Sequence, residues 1–325
     1  MQQGTVKSYN KMKNEFYNKF RSEIVPIAKK QEQTRKKYLI IAILGYIFFW
    51  TITAIGAYYA IPFLISMMER NSRAGRTLID FIGLIIAGIT APFLIQRKLT
   101  KKIEKDIKKR IMPSVCRCIG NLTWHNGFYE NENIIATAKL INENYGKAEF
   151  DDVFLGEYRD VKIDIVEGLY LPSEKSVRYR DVPYFQGVFI VLDMNKKFEG
   201  HTIIKPESLV KFEPYQLRKT TLEDVKFEKK YDVYTDNEIE ARYLITTSFM
   251  YRLNEMKTAF KGKKVSCAFY DKKLIIAFDN PFDTFSVVSL FRKTEEHKQY
   301  FQMFDEFLSI IKLIDYFKLN EHTGL

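Results

Sequence analysis

The chain has 325 residues, 46% of them hydrophobic, a net charge of +11 and three cysteines, so it has room for more than one domain and enough apolar residues for a core. Three cysteines cannot close a disulfide framework, and Cys116-Arg117-Cys118 near His125 lacks the second ligand pair a structural zinc needs; three buried or half-buried free thiols are expected instead. Clustered Lys and Arg bind nucleic acid by counterion release, but here the net charge is +14 over residues 1–111 and −3 over 112–325. The positive excess flanks apolar segments, which favours membrane phospholipid or topology control over nucleic acid.

In chain order, residues 1–37 read as a cytoplasmic amphipathic helical segment. Met12, Phe16, Phe20 and Ile24 form an apolar stripe at a spacing of four, and Pro26 is expected to interrupt or kink the helix. From Tyr38 to Met68 thirty-one residues pass without one Asp, Glu, Lys, Arg or His. At about 1.5 Å per helical residue, about 20 residues cross a hydrocarbon core, so a first membrane span is placed at about 38–60, with Tyr58 and Tyr59 at the interface. A second span is placed at 78–96, with Asp80 one turn inside its start and four residues from Arg76. Gly83, Ala87 and Ala91 form a small-residue stripe suited to close helix packing, with Gly56 and Ala60 of the first span as the facing surface; the same stripe leaves a homo-oligomer open.

Residues 97–112 read as a basic amphipathic juxtamembrane helix, with Leu99, Ile103, Ile107 and Ile111 on one face up to Pro113. This stripe and the one before the first span either pack together as a stalk, the arrangement favoured here, or lie on anionic lipid. Lys and Arg are dense before the first span and after the second, while the short connection holds Arg70, Arg73 and Arg76. Basic residues are retained in the cytoplasm, so both termini of a multi-pass protein of the cytoplasmic (inner) membrane are expected inside. No cleavable signal peptide is readable, since a polar segment of some thirty-seven residues precedes the first apolar run.

Residues 113–325 carry short apolar runs between Gly, Asn and Asp, the texture of strands. Expected strands are Phe154–Tyr158, Val161–Leu171, Gly187–Asp193, Thr202–Ile204, Val225–Tyr234, Val265–Tyr270 and Leu274–Phe278, with Asp271-Lys272-Lys273 as a hairpin turn. Two long helices are expected. One runs from about Asn237 to Phe260, capped by Asp236 and burying Ile239, Tyr243, Leu244, Met250 and Leu253; the other runs from about Glu295 to Phe317, burying Tyr300, Phe304, Phe307, Leu308, Ile311 and Ile314. The fold class is therefore α+β: an N-terminal helix, a two-helix transmembrane hairpin over 38–96, and a cytoplasmic mixed, mostly antiparallel sheet with two long helices.

Phe185-Gln186-Gly187-Val188-Phe189, then Asp193, Asn195-Lys196-Lys197-Phe198, Gly200 and Thr202, resembles the signature of a bacterial two-span membrane family known as domain of unknown function 3137. Val233-Tyr234-Thr235-Asp236 leading to Glu240-Ala241-Arg242-Tyr243-Leu244 and Phe249-Met250 is similar to it as well, with Thr247 standing where that family has Pro. The resemblance covers nearly the whole chain and implies the same topology. It supplies no activity and no catalytic residues.

No glycine-rich phosphate loop, Gly-x-Ser-x-Gly elbow or His-Glu-x-x-His pair is present, so no catalytic, cofactor or metal residue is assigned. Asp151-Asp152 and Glu223-Asp224 are the carboxylate pairs a metal or general base would use, although adjacent acids at strand ends are usually solvated. His125, His201, His297 and His322 are far apart and read as surface or capped side chains. Arg178 and Arg180, bracketing Tyr179, are the anion-contact candidates. The function expected is a membrane-anchored, cytoplasm-facing interaction or scaffold protein with lipid and an unidentified protein as partners; the alternative is an enzyme acting on a membrane-associated substrate.

Overall fold

A computed structural model describes residues 9–69, 74–141, 145–173, 183–194, 197–207, 216–222 and 224–317. The chain forms two compact units. One is built from Met1–Tyr17, Met112–Ser286 and Tyr300–Leu325, the other from Asn18–Ile111 and Val287–Gln299.

Helix α1 (Tyr9–Lys19) passes through a π-turn at Phe20–Ile24 into α2 (Val25–Glu69). Pro26 therefore does not interrupt the helical run, which corrects that half of the expectation, although the helix changes to a π-turn just before it. Proline has no N–H and its ring collides with the carbonyl four residues back. The wider π-turn just before it, in which the Val25 N–H bonds Phe20 O, moves the backbone out of register with that clash. Helix α3 (Ala74–Ile119) likewise unites the segments 78–96 and 97–112 in one element and runs past Pro113. Its apolar stripe explains the continuation: Ile103, Ile107, Ile111, Val115 and Ile119 keep a spacing of four and are all buried. Burial of several such side chains, at about 1.5–3 kcal/mol each, outweighs the roughly 3 kcal/mol a helical proline costs.

Along the apolar part of α2 the side chains are bare: Leu44 is 58% exposed and Phe48 59%, with Ile40, Ile47 and Ile55 comparable. Where α2 and α3 meet, the Tyr46 hydroxyl donates to Gln96 Oε1 at 2.9 Å. A Cβ on Gly88 would lie 2.5 Å from Thr53 Oγ1, so this is the close approach between the two helices among the described residues.

The other unit is a nine-stranded sheet in the order β1-β2-β3-β4-β9-β8-β5-β7-β6. The strands are β1 Asn121–Asn126, β2 Tyr145–Tyr158, β3 Val161–Pro172, β4 Phe185–Asp193, β5 Thr202–Pro206, β6 Arg218–Thr220, β7 Tyr231–Thr235, β8 Lys264–Tyr270 and β9 Lys273–Asp279. Every pairing among the described strands is antiparallel, so the sheet is not mixed. The β8–β9 hairpin pairs Tyr270 with Lys273 around Asp271 at φ 53°, the expected turn. The β2–β3 hairpin turns through Arg159 and Asp160, both at positive φ, the geometry that matches strand twist.

Small helices α4 (Glu132–Thr137) and α5 (Val225–Glu228) and the longer α6 (Glu238–Leu244), α7 (Thr247–Ala259) and α8 (His297–Phe317) complete the unit's helices among the described residues. Central strands are covered on both faces, so β4 and β9 read as nearly unbroken apolar runs. On one face Phe154 meets Phe307 edge-on at 4.8 Å and Phe278 stacks on Phe260. On the other, Val166, Tyr170, Phe189, Val191 and Ile275 pack with Ile135, Ala138 and Leu140. The α1 end of the N-terminal stripe joins this unit, with Phe16 stacked on Phe304 at 4.2 Å and edge-on to Phe301.

Two segments differ from expectation. The helix placed at 237–260 is broken: Asn237, not Asp236, caps α6, and Thr246 caps α7 by accepting from the Phe249 N–H. The break resets the helical phase, so Leu244, Met250 and Leu253 are buried while Ile239 is 86% exposed and Tyr243 is also outside. The strand placed at Val225–Tyr234 begins as α5, because the Asp224 carboxylate accepts the Lys226 and Phe227 N–H groups and starts a helical turn. Strands β1 and β6 were not anticipated.

Gly187 marks the tightest approach in the sheet: its φ is +153° and a Cβ would lie 1.9 Å from Phe278 O on β9. Gly187→Ala is expected to lower stability by roughly 2–4 kcal/mol, read as a fall in the melting temperature of the detergent-solubilised chain. An unchanged melt would show that β4 and β9 are not held at this spacing.

Candidate functional site

The described acids gather most densely where β2 is bulged. Phe150 pairs Gly168 and Val153 pairs Val166, so Asp151 and Asp152 together oppose the single residue Glu167. A bulge re-aims side chains, and this one turns Asp152 into the protein, where it is fully buried rather than solvated as adjacent strand-end acids usually are. The Trp124 indole N–H of β1 donates to Asp152 Oδ1 at 2.7 Å, and the Thr284 N–H, just past β9, donates to Glu167 Oε1 at 2.8 Å. Asp283, exposed, completes a group in which one oxygen from each of Asp152, Glu167 and Asp283 lies within 4.8 Å of the others. Three carboxylate oxygens at that spacing suit a hard divalent cation such as Mg²⁺ or Ca²⁺, with water filling the remaining positions. Only Asp152 of these three was a candidate from sequence.

Other polar groups are engaged in closing the fold. Asp315 of α8 accepts from the Tyr9 hydroxyl of α1 (2.8 Å), the Tyr158 hydroxyl of β2 (3.1 Å) and Arg159 Nη1 in the β2–β3 turn (2.6 Å). Burial, followed by the bond to Asp315, pushes the Tyr9 hydroxyl up to about 12, and burial raises Tyr158 too, so both stay protonated donors. Before β5, three successive backbone N–H groups are taken by acids: Glu199 and Gly200 donate to Glu240, and His201 to Asp236 Oδ1 at 2.7 Å. This engagement removes Asp236 from the helix-capping role expected of it. A Cβ at Gly200 would lie 2.6 Å from Asp236 Oδ1, so glycine alone permits the clamp.

Of the other sequence candidates, Arg178, Arg180, Glu223 and His322 lie outside the described residues, as does the Ala87 side chain. Gly83 is exposed, with nothing within 4 Å of an added Cβ, while Ala91, Gly56 and Ala60 are half-buried. His201 is buried rather than at the surface, its ring against Tyr270, and loss of hydration lowers its pKa. Cys116, Cys118 and Cys267 are free and buried, and burial pushes the Cys116 thiol up to about 12, which keeps it unreactive. Sequence reasoning missed Glu306, an acid in the buried stripe of α8. It accepts from Gln302 Nε2 at 3.0 Å, its Oε2 has no hydrogen-bond partner among the described residues, and burial raises its pKa to about 7.

The class is an α+β protein with an antiparallel sheet domain and an N-terminal helix long and apolar enough to cross a membrane. Residues 183–319, the stretch from β4 to α8, match the family model described as Protein of unknown function (DUF3137). The signature residues Phe185 to Thr202 and Val233 to Met250 fall inside it, whereas β1–β3 and α1–α3 lie outside the matched stretch. The crystal structure of the mycobacterial trehalose monomycolate transport factor A, TtfA, aligns with a TM-score of 0.37 and 10% identity, covering 66% of this chain and 97% of that one. No curated protein matches the chain.

Glu306 gives a measurable consequence. Its folded pKa lies above the ordinary 4.5, so between about pH 4.5 and 7 the unfolded chain releases the proton first and stability falls as pH rises. Glu306→Gln removes this penalty. The variant should be more stable than the parent by about 1–3 kcal/mol at a pH above 7 and nearly equal to it below 5, read from melting curves at both. Equal destabilisation at both would refute the assignment.

Proposed function

We propose that this protein is a membrane-anchored interaction module: 38–60 and 78–96 cross the cytoplasmic membrane side by side, and the sheet domain recruits a protein partner at the cytoplasmic face. The observation that carries the reading is the exposure of the apolar part of α2, a helix long and apolar enough to span a bilayer. Supporting it, the Tyr46–Gln96 bond and the Gly88–Thr53 approach join the two apolar segments in antiparallel order. The density of Lys and Arg on the outer flanks favours both termini inside. The open face at Gly83, with Ala87 and Ala91 on the same stripe, is offered to a second copy of the chain.

A second reading, an enzyme acting on a membrane-associated substrate, rests on the Asp152, Glu167 and Asp283 group. If these acids serve chemistry through a divalent cation, millimolar Mg²⁺ or Mn²⁺ raises the melting temperature by mass action, and Asp283→Asn abolishes the shift.

The anchor is tested by topology. The expressed chain should remain in membranes washed with alkaline carbonate. A membrane-impermeant maleimide should label Asn71→Cys on intact cells and Gln33→Cys only after permeabilisation. Recovery of the chain in the carbonate supernatant would refute the anchor; labelling of Gln33→Cys from outside would refute the orientation.

A further inference from the structure

Residues 287–299, which follow β9 and run into the first turn of α8, belong to the helical unit. Their hold on it is specific. The Val287 N–H donates to Glu104 Oε1 of α3 at 3.1 Å, and Arg35 Nη1 of α2 donates to Leu290 O. The Thr294 hydroxyl donates to Ala28 O at 2.7 Å and its N–H to Glu32 Oε2 at 3.2 Å. Glu32 is itself bonded to Arg35 Nη2 at 2.6 Å, which holds its carboxyl down to about 2, so the node stays charged at neutral pH. Leu290 and Thr294 are buried, and between these two fixed points Phe291, Arg292 and Lys293 stand out, Phe291 at 63% exposure.

This fixed tip presents one aromatic side chain beside two cations, a combination suited to a membrane interface. Its position supplies the rest of the argument. Arg35, which holds Leu290, is three residues from Tyr38, where the uncharged run begins, or about 4.5 Å along the helix. The polar layer of a bilayer leaflet is roughly 5–7 Å deep beyond the hydrocarbon. Exposed lysines occupy the same unit on both helices: Lys36 and Lys37 on α2, Lys98, Lys102 and Lys105 on α3.

We infer that the Phe291-Arg292-Lys293 tip is a lipid contact: Phe291 enters the headgroup–acyl boundary while Arg292 and Lys293 engage the phosphates of anionic phospholipid. This rests on the membrane reading above and names the lipid chemistry that the anchor selects. An aromatic ring favours the interface, and cations near an anionic surface gain an attraction that fades within a Debye length.

The test uses the full chain in vesicles of phosphatidylcholine alone or with a quarter phosphatidylglycerol. A polarity-sensitive fluorophore is placed at Phe291→Cys, at Leu44→Cys in the span, and at Ser22→Cys, roughly 24 Å below Tyr38 along the helical run. The expected result is a blue-shifted emission at 291, quenched by headgroup-labelled lipid and stronger in the anionic vesicles. Arg292→Glu/Lys293→Glu should reduce the signal at 291 to its level in neutral vesicles, as should salt of about 0.5 M. A probe at 291 that behaves like the one at 22 in both vesicles overturns the inference. A blue shift without lipid quenching overturns it too, because protein would then be the cover, and so does a signal indifferent to lipid charge. Flotation with vesicles and the emission at 44 report the membrane reading separately, and their failure would overturn both.

Discussion

The arrangement of this chain depends on one constraint: a helical surface of isoleucine, leucine and phenylalanine between residues 40 and 65 that no described part of the protein covers. More than ten large apolar side chains there are about half exposed, and at 1.5–3 kcal/mol for each complete burial, covering them is worth on the order of 10 kcal/mol. That is comparable with the whole net stability of an ordinary domain. Such a surface is better covered than left in water, and α2 is long and apolar enough to cross a bilayer.

The sheet domain solves a different problem, that of fastening loops and helices to a sheet buried on both faces. It does so with charged groups whose partners are hydroxyls, guanidinium and backbone N–H. Asp315 ties α1, the β2–β3 turn and α8 at one point, and Asp236 with Glu240 takes up the three N–H groups before β5. Such bonds to a charged partner contribute about 1.5–3 kcal/mol where burial excludes water. The signature stretches run through these places: Gly187 at the close strand approach, Gly200 in the clamp, and Glu240 as the acid that closes it.

What could be read from sequence follows from what is local. The long uncharged run, the α8 stripe from Tyr300 to Ile314 and the Asp271 turn each depend on neighbours within a few residues, and each stands where it was expected. β1 escaped notice because Asn-Leu-Thr-Trp-His-Asn is an edge strand with little apolar content, and β6 has three residues. The false strand at 225 and the unbroken helix at 237–260 have one cause: the side chains of Asp224 and Thr246 bond nearby N–H groups and override the apolar period. The burial of Asp152 could not be read at all, since a bulge is a relation between β2 and the register of β3. Of the carboxylate group, one member of three was therefore visible in advance.

The 287–299 segment shows how far sequence distance can hide structure. Its partners Glu104, Arg35 and Ala28 lie 183, 255 and 266 positions away, and it has no periodicity to announce it. Its placement changes how the helical unit is delimited. The chain passes between the two units four times, at 17–18, 111–112, 286–287 and 299–300. A fragment beginning at residue 113 would carry the Val287 N–H, the Leu290 carbonyl and the Thr294 hydroxyl away from every acceptor and donor that fixes them. The helices are thus completed by a segment that follows the last strand and ends in the first turn of the last helix. The continuity of the chain therefore does not follow the division into units, and residues 287–299 are assigned with the helices rather than with the sheet.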